Sequence, residues 1–224
     1  MTRLDGDRPM STRRAYLSAV GVVATTTLAG CAGGSGTPDT SFDCDVEAPE
    51  SVSNLSQPTL GPTDAVVTVD IFEDFACPHC RDFHLNTLDE IRADYISPDS
   101  SVRIRHYDAP VPVNEWSRPV ANAARWIQDS HGDEAFYSFG RLAYQNQAEL
   151  SWEVIGNITT ELGVDASPCD VLSAASNSTY KDVIDANNAT ARERDIPGTP
   201  TVFVNGQQVD RTYDAISTTI ESQI

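Results

Sequence analysis

The stretch Cys77-Pro78-His79-Cys80 lies directly after the apolar run at 66–72, whose sequence is VVTVDIF. The run is typical of a buried strand, and a proline fits the first turn of a helix, so Cys77 is predicted at a helix start. The free backbone N–H groups and the dipole there favour an anion, so Cys77 should ionise readily and attack as a thiolate. The two-residue spacing lets Cys80 attack a mixed disulfide formed on Cys77. The stretch therefore predicts a redox-active dithiol.

The same spacing also forms half of many zinc sites. The sequence contains no second Cys-x-x-Cys and no His-x-x-x-His pair to complete such a site. His84, four residues after Cys80, could offer a third ligand, but we interpret it as a residue on the helix surface. We therefore expect no metal and no cofactor.

A second distinctive stretch spans residues 198–206, with the sequence GTPTVFVNG. It is typical of a buried strand with a proline at its first position and an Asn-Gly turn at its end, so Pro200 could be an ordinary strand-entry proline. The two stretches together are more specific. Residues 75–83 (FACPHCRDF) and 198–204 resemble the DsbA-like branch of the thioredoxin superfamily.

The resemblance covers about residues 58–224 and implies an α/β fold, thioredoxin-like with an inserted all-helical domain. In that family the proline that matches Pro200 is cis and faces the Cys-x-x-Cys; a cis X-Pro bond costs only about 0.5–1 kcal/mol. The arrangement leaves the backbone of Thr199 free to pair with an extended substrate chain, and the proline ring keeps metals off the sulfurs. The resemblance thus implies that Thr199 and Pro200 bind substrate.

The resemblance also implies roles for three catalytic residues. Cys77 would be the exposed sulfur that reacts, and Cys80 would be its buried partner. His79 would favour the Cys77 thiolate through its imidazolium, and in this family the Pro-His dipeptide goes with a strongly oxidising site.

One position departs from the pattern of thioredoxin-like proteins. They often carry an acid six residues before the first active cysteine, where this sequence has Ile71. A buried carboxylate there is thought to take part in proton transfer, so Glu73 or Asp74 must substitute for it or the step proceeds through water. Glu73 and Asp74 also fit plain acids at the end of a strand.

The first thirty residues are typical of an export signal. Arg13 and Arg14 form a twin-arginine motif, the apolar run at 17–29 follows, and Leu28-Ala29-Gly30-Cys31 looks like a lipobox. The apolar run is shorter than the ~20 residues that a transmembrane helix needs. We expect cleavage before Cys31 and lipid on its sulfur, which would hold the protein at the extracytoplasmic face of the membrane. The alternative is plain secretion.

The rest of the chain divides into a tether and a folded domain. Residues 31–60 are rich in Gly, Ser, Thr, Pro and Asp and predict a flexible tether, with the thioredoxin-like domain at 61–224. Apolar residues follow a helical period at about 115–194, which we interpret as the helical insertion. Other predicted elements are strands at 65–72 and 102–107 and helices at 78–92, 180–194 and 213–222, with Ser167 capping a helix.

The chain is strongly acidic, with 33 acidic and 15 basic residues and a formal charge of −18. Only Lys181 is a lysine. Such a charge self-repels in dilute buffer and is tolerated where salt screens it, which suggests a protein from a very salty habitat; an acidic protein from ordinary surroundings is the alternative. The charge argues against nucleic acid and against anionic lipid headgroups as partners.

Two cysteines remain once Cys31 is lipidated and Cys77 is paired with Cys80. An exported protein can carry disulfides, so Cys44 and Cys169 could bridge and pin the tether to the domain, or they could stay free.

These features predict an extracytoplasmic thiol–disulfide oxidoreductase that donates disulfides to newly exported, reduced proteins. A membrane-bound partner of the quinone-linked type would reoxidise it. Alternatives are a reductase or isomerase on the same scaffold, and a non-catalytic surface lipoprotein in which the Cys77–Cys80 bond is structural.

Overall fold

The computed structural model of the chain describes residues 39–111 and 113–224. The predicted export signal at 1–30 and the predicted lipidation site at Cys31 lie outside these described residues. Within the described part of the chain, no helix combines the length and the apolar character that a membrane span requires.

A mixed five-stranded sheet forms the centre of the fold. Its strands are β1 (Thr59–Leu60), β2 (Val67–Glu73), β3 (Val102–Asp108), β4 (Thr201–Val204) and β5 (Gln207–Val209). They lie in the order β1-β3-β2-β4-β5, with β2 parallel to β3 and the other neighbours antiparallel. Strand β2 is central, and six of its seven residues are buried because both faces of the sheet are covered.

Helices flank the sheet. The helix after β2 is continuous and consists of α1 (Pro78–Asp82), a π-helical segment (Phe83–Leu88) and α2 (Asp89–Tyr95). The others are α3 (Ser117–His131), α4 (Asp133–Gln145), α5 (Trp152–Glu161), α6 (Pro168–Ser176), α7 (Lys181–Glu193) and α8 (Tyr213–Glu221). Helices α3 to α7 lie between β3 and β4 in the chain, as the helical periodicity predicts. A helical segment is therefore inserted between two strands of one continuous sheet.

Local signals locate several of these helices correctly. Phe83, Leu88 and Ile91, apolar residues of the predicted helix at 78–92, are buried. The hydroxyl of Ser167 accepts a hydrogen bond from the backbone N–H of Asp170, as expected of a helix cap. Caps and apolar stripes are properties of neighbouring residues, so a sequence displays them directly.

The prediction of a flexible tether does not hold for residues 39–60. Cys44 forms a disulfide with Cys169, Val52 N–H donates to the Thr179 carbonyl (2.9 Å), and β1 joins the edge of the sheet. Apolar side chains spaced along this otherwise polar segment pack against the core: Phe42, Val52, Leu55 and Leu60. A few anchors and one disulfide therefore suffice to fix a segment whose composition resembles a linker.

Candidate active site

The two cysteines of the dithiol lie at the junction of β2 and α1. Cys77 caps the start of α1, with an extended backbone (φ −83°, ψ 120°), and Pro78 lies in the first turn. The backbone N–H of Arg81 donates to the Cys77 carbonyl (3.1 Å). Cys80 lies one turn further and has no exposed surface, whereas 7% of Cys77 is exposed. Of the two sulfur-bearing residues, only Cys77 borders solvent.

The second predicted stretch, at the start of β4, lies against Cys77. The Thr199–Pro200 peptide bond is cis, and the Cys77 thiol donates to the Thr199 carbonyl at 3.4 Å. Because β4 pairs antiparallel with β2, the end of β2 and the start of β4 lie at the same end of the sheet, so two stretches far apart in the sequence meet there. The structure therefore brings Cys77, Cys80, Thr199 and Pro200 together.

The two thiols have opposite electrostatic environments. The Cys77 pKa falls to about 5, chiefly because the Cys80 thiol donates a hydrogen bond to the anion; burial opposes this. The side chain of Thr199 and the backbone N–H groups of Cys80 and His79 lower the Cys77 pKa further. Burial raises the Cys80 pKa far above its ordinary value, and the charge of Glu73 acts in the same direction. At neutral pH the reduced pair thus holds one thiolate and one thiol.

The side chain of His79 is exposed and borders a surface pocket with Arg211 and Tyr213. In the structure, its contribution to the Cys77 thiolate comes from its backbone N–H. A charge on the exposed imidazole would be weakened by salt. The predicted effect of the His79 imidazolium stays a prediction.

Behind the dithiol, buried carboxylates and imidazoles alternate in a chain. Glu73 Oε2 lies 3.2 Å from His84 Nδ1 and 3.4 Å from His106 Nδ1. His106 Nε2 lies 3.3 Å from Asp108, which accepts a hydrogen bond from Arg125 Nε (2.7 Å). Burial raises the Glu73 pKa, but the two imidazoles outweigh it and hold the value at about 2. Glu73 therefore remains ionised throughout the physiological range.

The prediction that His84 lies on the helix surface is wrong. Only 2% of His84 is exposed, and its ring packs against Tyr144 of α4 with ring centroids 4.6 Å apart. The inserted helix α4 covers this face of the π-helical segment, which the local sequence pattern cannot show. The Nδ1 atom of His84 faces Glu73. Across residues 39–111 and 113–224, no group of three or more His, Cys, Asp or Glu side chains is arranged to hold a metal.

Asp74 is also buried, and it contacts both the active-site turn and the inserted helix α3. Its carboxylate accepts hydrogen bonds from Ala76 N–H (2.8 Å) and from the Ser117 hydroxyl (2.9 Å), and its own N–H lies 3.5 Å from Cys80 Sγ. Burial raises the Asp74 pKa to about 6, and the Cys77 charge adds to the rise. Asp74 therefore changes its charge close to neutral pH, unlike a solvated acid at a strand end.

Three members of this buried chain, His106, Asp108 and Arg125, were not singled out from the sequence. One signal was present: both parallel strands end in acids, and the register places Glu73 opposite Asp108. Arg125 had no local signal, because an arginine that follows two alanines in a helix fits an exposed position equally well. Its importance comes from contacts with residues distant in the chain.

Comparison with known proteins gives consistent matches. The sequence model of a family described as Thioredoxin matches residues 53–222. Disulfide bond formation protein D of Bacillus subtilis is 26% identical over 184 residues, which cover 75% of this chain and 77% of that protein. The crystal structure of oxidised BdbD from Bacillus subtilis matches with a TM-score of 0.69 at 23% identity, covering 78% and 98% of the two chains. DsbA of Chlamydia trachomatis matches with a TM-score of 0.67 at 16% identity, covering 79% and 96%.

The solved structures share the fold of this chain. The family match extends over both stretches that meet in the site, the dithiol and the strand that begins at Pro200. It covers about three quarters of the chain. The chain therefore belongs to the thioredoxin family and is a DsbA-like thiol–disulfide oxidoreductase.

Proposed function

We propose that this oxidoreductase works as an oxidase that donates disulfides to exported proteins. The observation that carries the proposal is the position of Cys77 at a helix start, where its pKa is about 5. The thiolate exists only in the reduced protein, so its stabilisation favours reduction of the Cys77–Cys80 bond. At pH 7 a pKa of about 5 makes the bond about 60 mV more oxidising than a pair whose thiols stay protonated.

The proposed reaction is two successive thiol–disulfide exchanges. A client thiolate attacks Cys77 Sγ of the oxidised pair; the Cys77–Cys80 bond breaks, and Cys80 leaves with the electron pair and takes up a proton. A second client thiolate then attacks the client sulfur of the mixed disulfide and releases Cys77 as a thiolate. The client gains one disulfide, and the protein retains two electrons as a reduced dithiol.

The edge formed by Thr199 and Pro200 is the proposed binding site for the extended client chain. Thr199 is partly exposed beside Cys77. An open groove of about 630 Å³ begins at Gly198 and is lined in part by Val111, Ala191 and Ile196. This groove, next to Thr199, offers apolar surface to side chains of the client.

The proposed location is the extracytoplasmic face of the membrane, with lipid on Cys31 after twin-arginine export. The sequence of residues 1–31 supports this proposal, and the Cys44–Cys169 disulfide fits an oxidising compartment. The reduced dithiol would be reoxidised by a membrane-bound, quinone-linked partner. The acidic composition supports a salty habitat.

The proposal is tested by oxidative refolding of reduced, unfolded ribonuclease in concentrated salt. Catalytic amounts of the protein with glutathione disulfide should restore ribonuclease activity, and Cys77→Ser should abolish the acceleration. Parallel assays measure the reduction of insulin and the rearrangement of scrambled ribonuclease. If the protein accelerates insulin reduction but not oxidative refolding, it is a reductase; if it accelerates only the rearrangement of scrambled ribonuclease, it is an isomerase. Inactivity in all three assays would indicate a structural disulfide.

Asp74 is the proposed proton acceptor for Cys80 when Cys80 attacks a mixed disulfide during reoxidation. Its pKa of about 6 suits a base near neutral pH, whereas Glu73, at about 2, is a weak base. We expect the wild-type rate to fall as the pH drops through about 6, because Asp74 then becomes protonated. Asp74→Asn should slow the step about a hundredfold at pH 7 and remove this pH dependence.

The measurement is the stopped-flow release of glutathione from a mixed disulfide on Cys77, followed across pH. Ser117→Ala is the matched control, because it removes a hydrogen bond that lowers the Asp74 pKa and leaves the carboxylate in place. Its midpoint should move to higher pH. An unchanged pH profile in Asp74→Asn would assign the proton transfer to water or to another group.

A further inference from the structure

We propose that Gln147 is a positioning residue that fixes the active-site turn, and with it the Cys77 sulfur, from the inserted helical segment. Gln147 begins the 3-10 turn between α4 and α5. Its side-chain Nε2 donates to two carbonyls of the turn, Phe75 O at 2.8 Å and Cys77 O at 2.9 Å. The inference rests on the proposed role of Cys77 as the reacting sulfur.

The turn depends on Gln147 because it lies outside the regular hydrogen bonding of β2 and α1. The Cys77 carbonyl also accepts from Arg81 N–H (3.1 Å), which is the first bond of the helix. For the Phe75 carbonyl, the described residues provide only the Gln147 amide as a partner. Removing that amide would leave a carbonyl without a partner and loosen the turn, which would then be held only from its own side, by the bonds from Ala76 N–H and Cys77 N–H to Asp74.

Holding the turn has an electrostatic consequence for Cys77. The Cys77 anion accepts hydrogen bonds from the backbone N–H groups of His79 and Cys80, and these bonds require Cys77 to stay at the helix start. The Gln147 amide also offsets part of the negative charge on the two carbonyl oxygens of the turn that carries the sulfur. A looser turn with bare carbonyls would disfavour the thiolate.

Gln147 is uncharged, so replacing it with another uncharged side chain separates an effect of geometry from an effect of charge. The titratable groups coupled to the Cys77–Cys80 pair include Asp74, Glu73 and the buried Tyr144, besides the two thiols themselves. Replacing Gln147 by an uncharged side chain leaves all of these in place. A change in Cys77 reactivity would then report the geometry of the turn.

The experiment compares Gln147→Met with Gln145→Met in the full protein. Met has the length of Gln but no donor, and Gln145 is an exposed residue in the last turn of α4, two positions away. The Cys77 pKa is read from thiolate ultraviolet absorbance, and the redox equilibrium is measured with glutathione. We expect Gln147→Met to lower the acid dissociation constant of Cys77 by about three- to tenfold and to shift the redox equilibrium with glutathione by the same factor towards the oxidised protein. Gln145→Met should leave both values unchanged.

A purely structural role would lower the melting temperature of Gln147→Met and leave the Cys77 pKa at the wild-type value, which would overturn the proposal. If Gln147→Met does not fold, Gln147→Leu takes its place, because Leu is also uncharged and also lacks the donor; the same weakening is expected and its absence overturns the proposal. An ordinary Cys77 pKa in the wild type would reject the proposed function itself. A low wild-type pKa with no change on substitution rejects only the role of Gln147.

Discussion

Once the protein is reduced, Cys77 is expected to react with a bulky alkylating reagent at pH 7 at least about a hundredfold faster than Cys80. With a pKa of about 5, Cys77 is almost fully ionised at this pH. The Cys80 pKa is raised above 9.0, so less than about 1% of Cys80 is thiolate, and burial hinders the reagent as well. Mass spectrometry of the labelled peptides after short exposure measures the two rates.

The same asymmetry predicts which variant traps clients. With Cys80→Ala, a mixed disulfide on Cys77 cannot be resolved from within, so Cys77-linked client proteins should accumulate. Cys77→Ala serves as the control and should trap none. Equal labelling of both sulfurs, or trapping by the wrong variant, would contradict the assigned roles.

The second large effect is on stability: the reduced protein should melt at a higher temperature than the oxidised one at pH 7. The Cys77 pKa is depressed from 9.0 in the unfolded chain to about 5 in the fold. The resulting stabilisation is complete above pH 9, shrinks as the pH falls, and is lost as the pH passes through about 5. At pH 7 it amounts to about 2 kcal/mol after allowance for partial solvent screening.

Two opposing effects are small at neutral pH. The short Cys77–Cys80 loop restricts the unfolded chain only slightly, so the disulfide gives the oxidised form little in return. The Cys80 pKa is raised, which disfavours the reduced fold only above about pH 9, where the unfolded chain would ionise. The stability gap should therefore widen from pH 5 towards pH 9.

The experiment is a pair of thermal melts, with and without reductant, at several pH values. Cys44 and Cys169 are both replaced by Ser, so that reductant acts only on the active pair. Concentrated salt should preserve most of the gap, because hydrogen bonds from backbone N–H groups act at contact distance. His79→Ser should narrow it, more so at low salt, if the imidazole contributes. A more stable oxidised form would contradict the oxidase proposal.

The sequence was most informative where a structural feature depends on neighbouring residues. The strand before Cys77, the helix start at Pro78 and the cap at Ser167 are each produced by a few adjacent side chains. The approach of Pro200 to Cys77 is a long-range contact and came from the resemblance to a family. Periodicity alone could not have placed those two stretches together.

The errors concern contacts between distant segments. His84 was expected in solvent because the sequence around it does not show that α4 covers the π-helical segment. Segment 39–60 resembles a linker in composition, yet Arg125 donates to the Ser56 carbonyl (3.1 Å), so part of the buried chain behind the dithiol depends on it. Gln147 is one polar residue in a polar turn, and only the folded structure reveals the two carbonyls it contacts.

The reduction potential of the Cys77–Cys80 pair tests the oxidase proposal most directly. The native protein is equilibrated in glutathione buffers of graded potential and alkylated, and the peptides containing Cys77 and Cys80 are quantified separately from those containing Cys44 and Cys169. A donor of disulfides should show a potential near about −120 mV. A value at or below about −270 mV, typical of reductants and structural disulfides, would contradict the proposal.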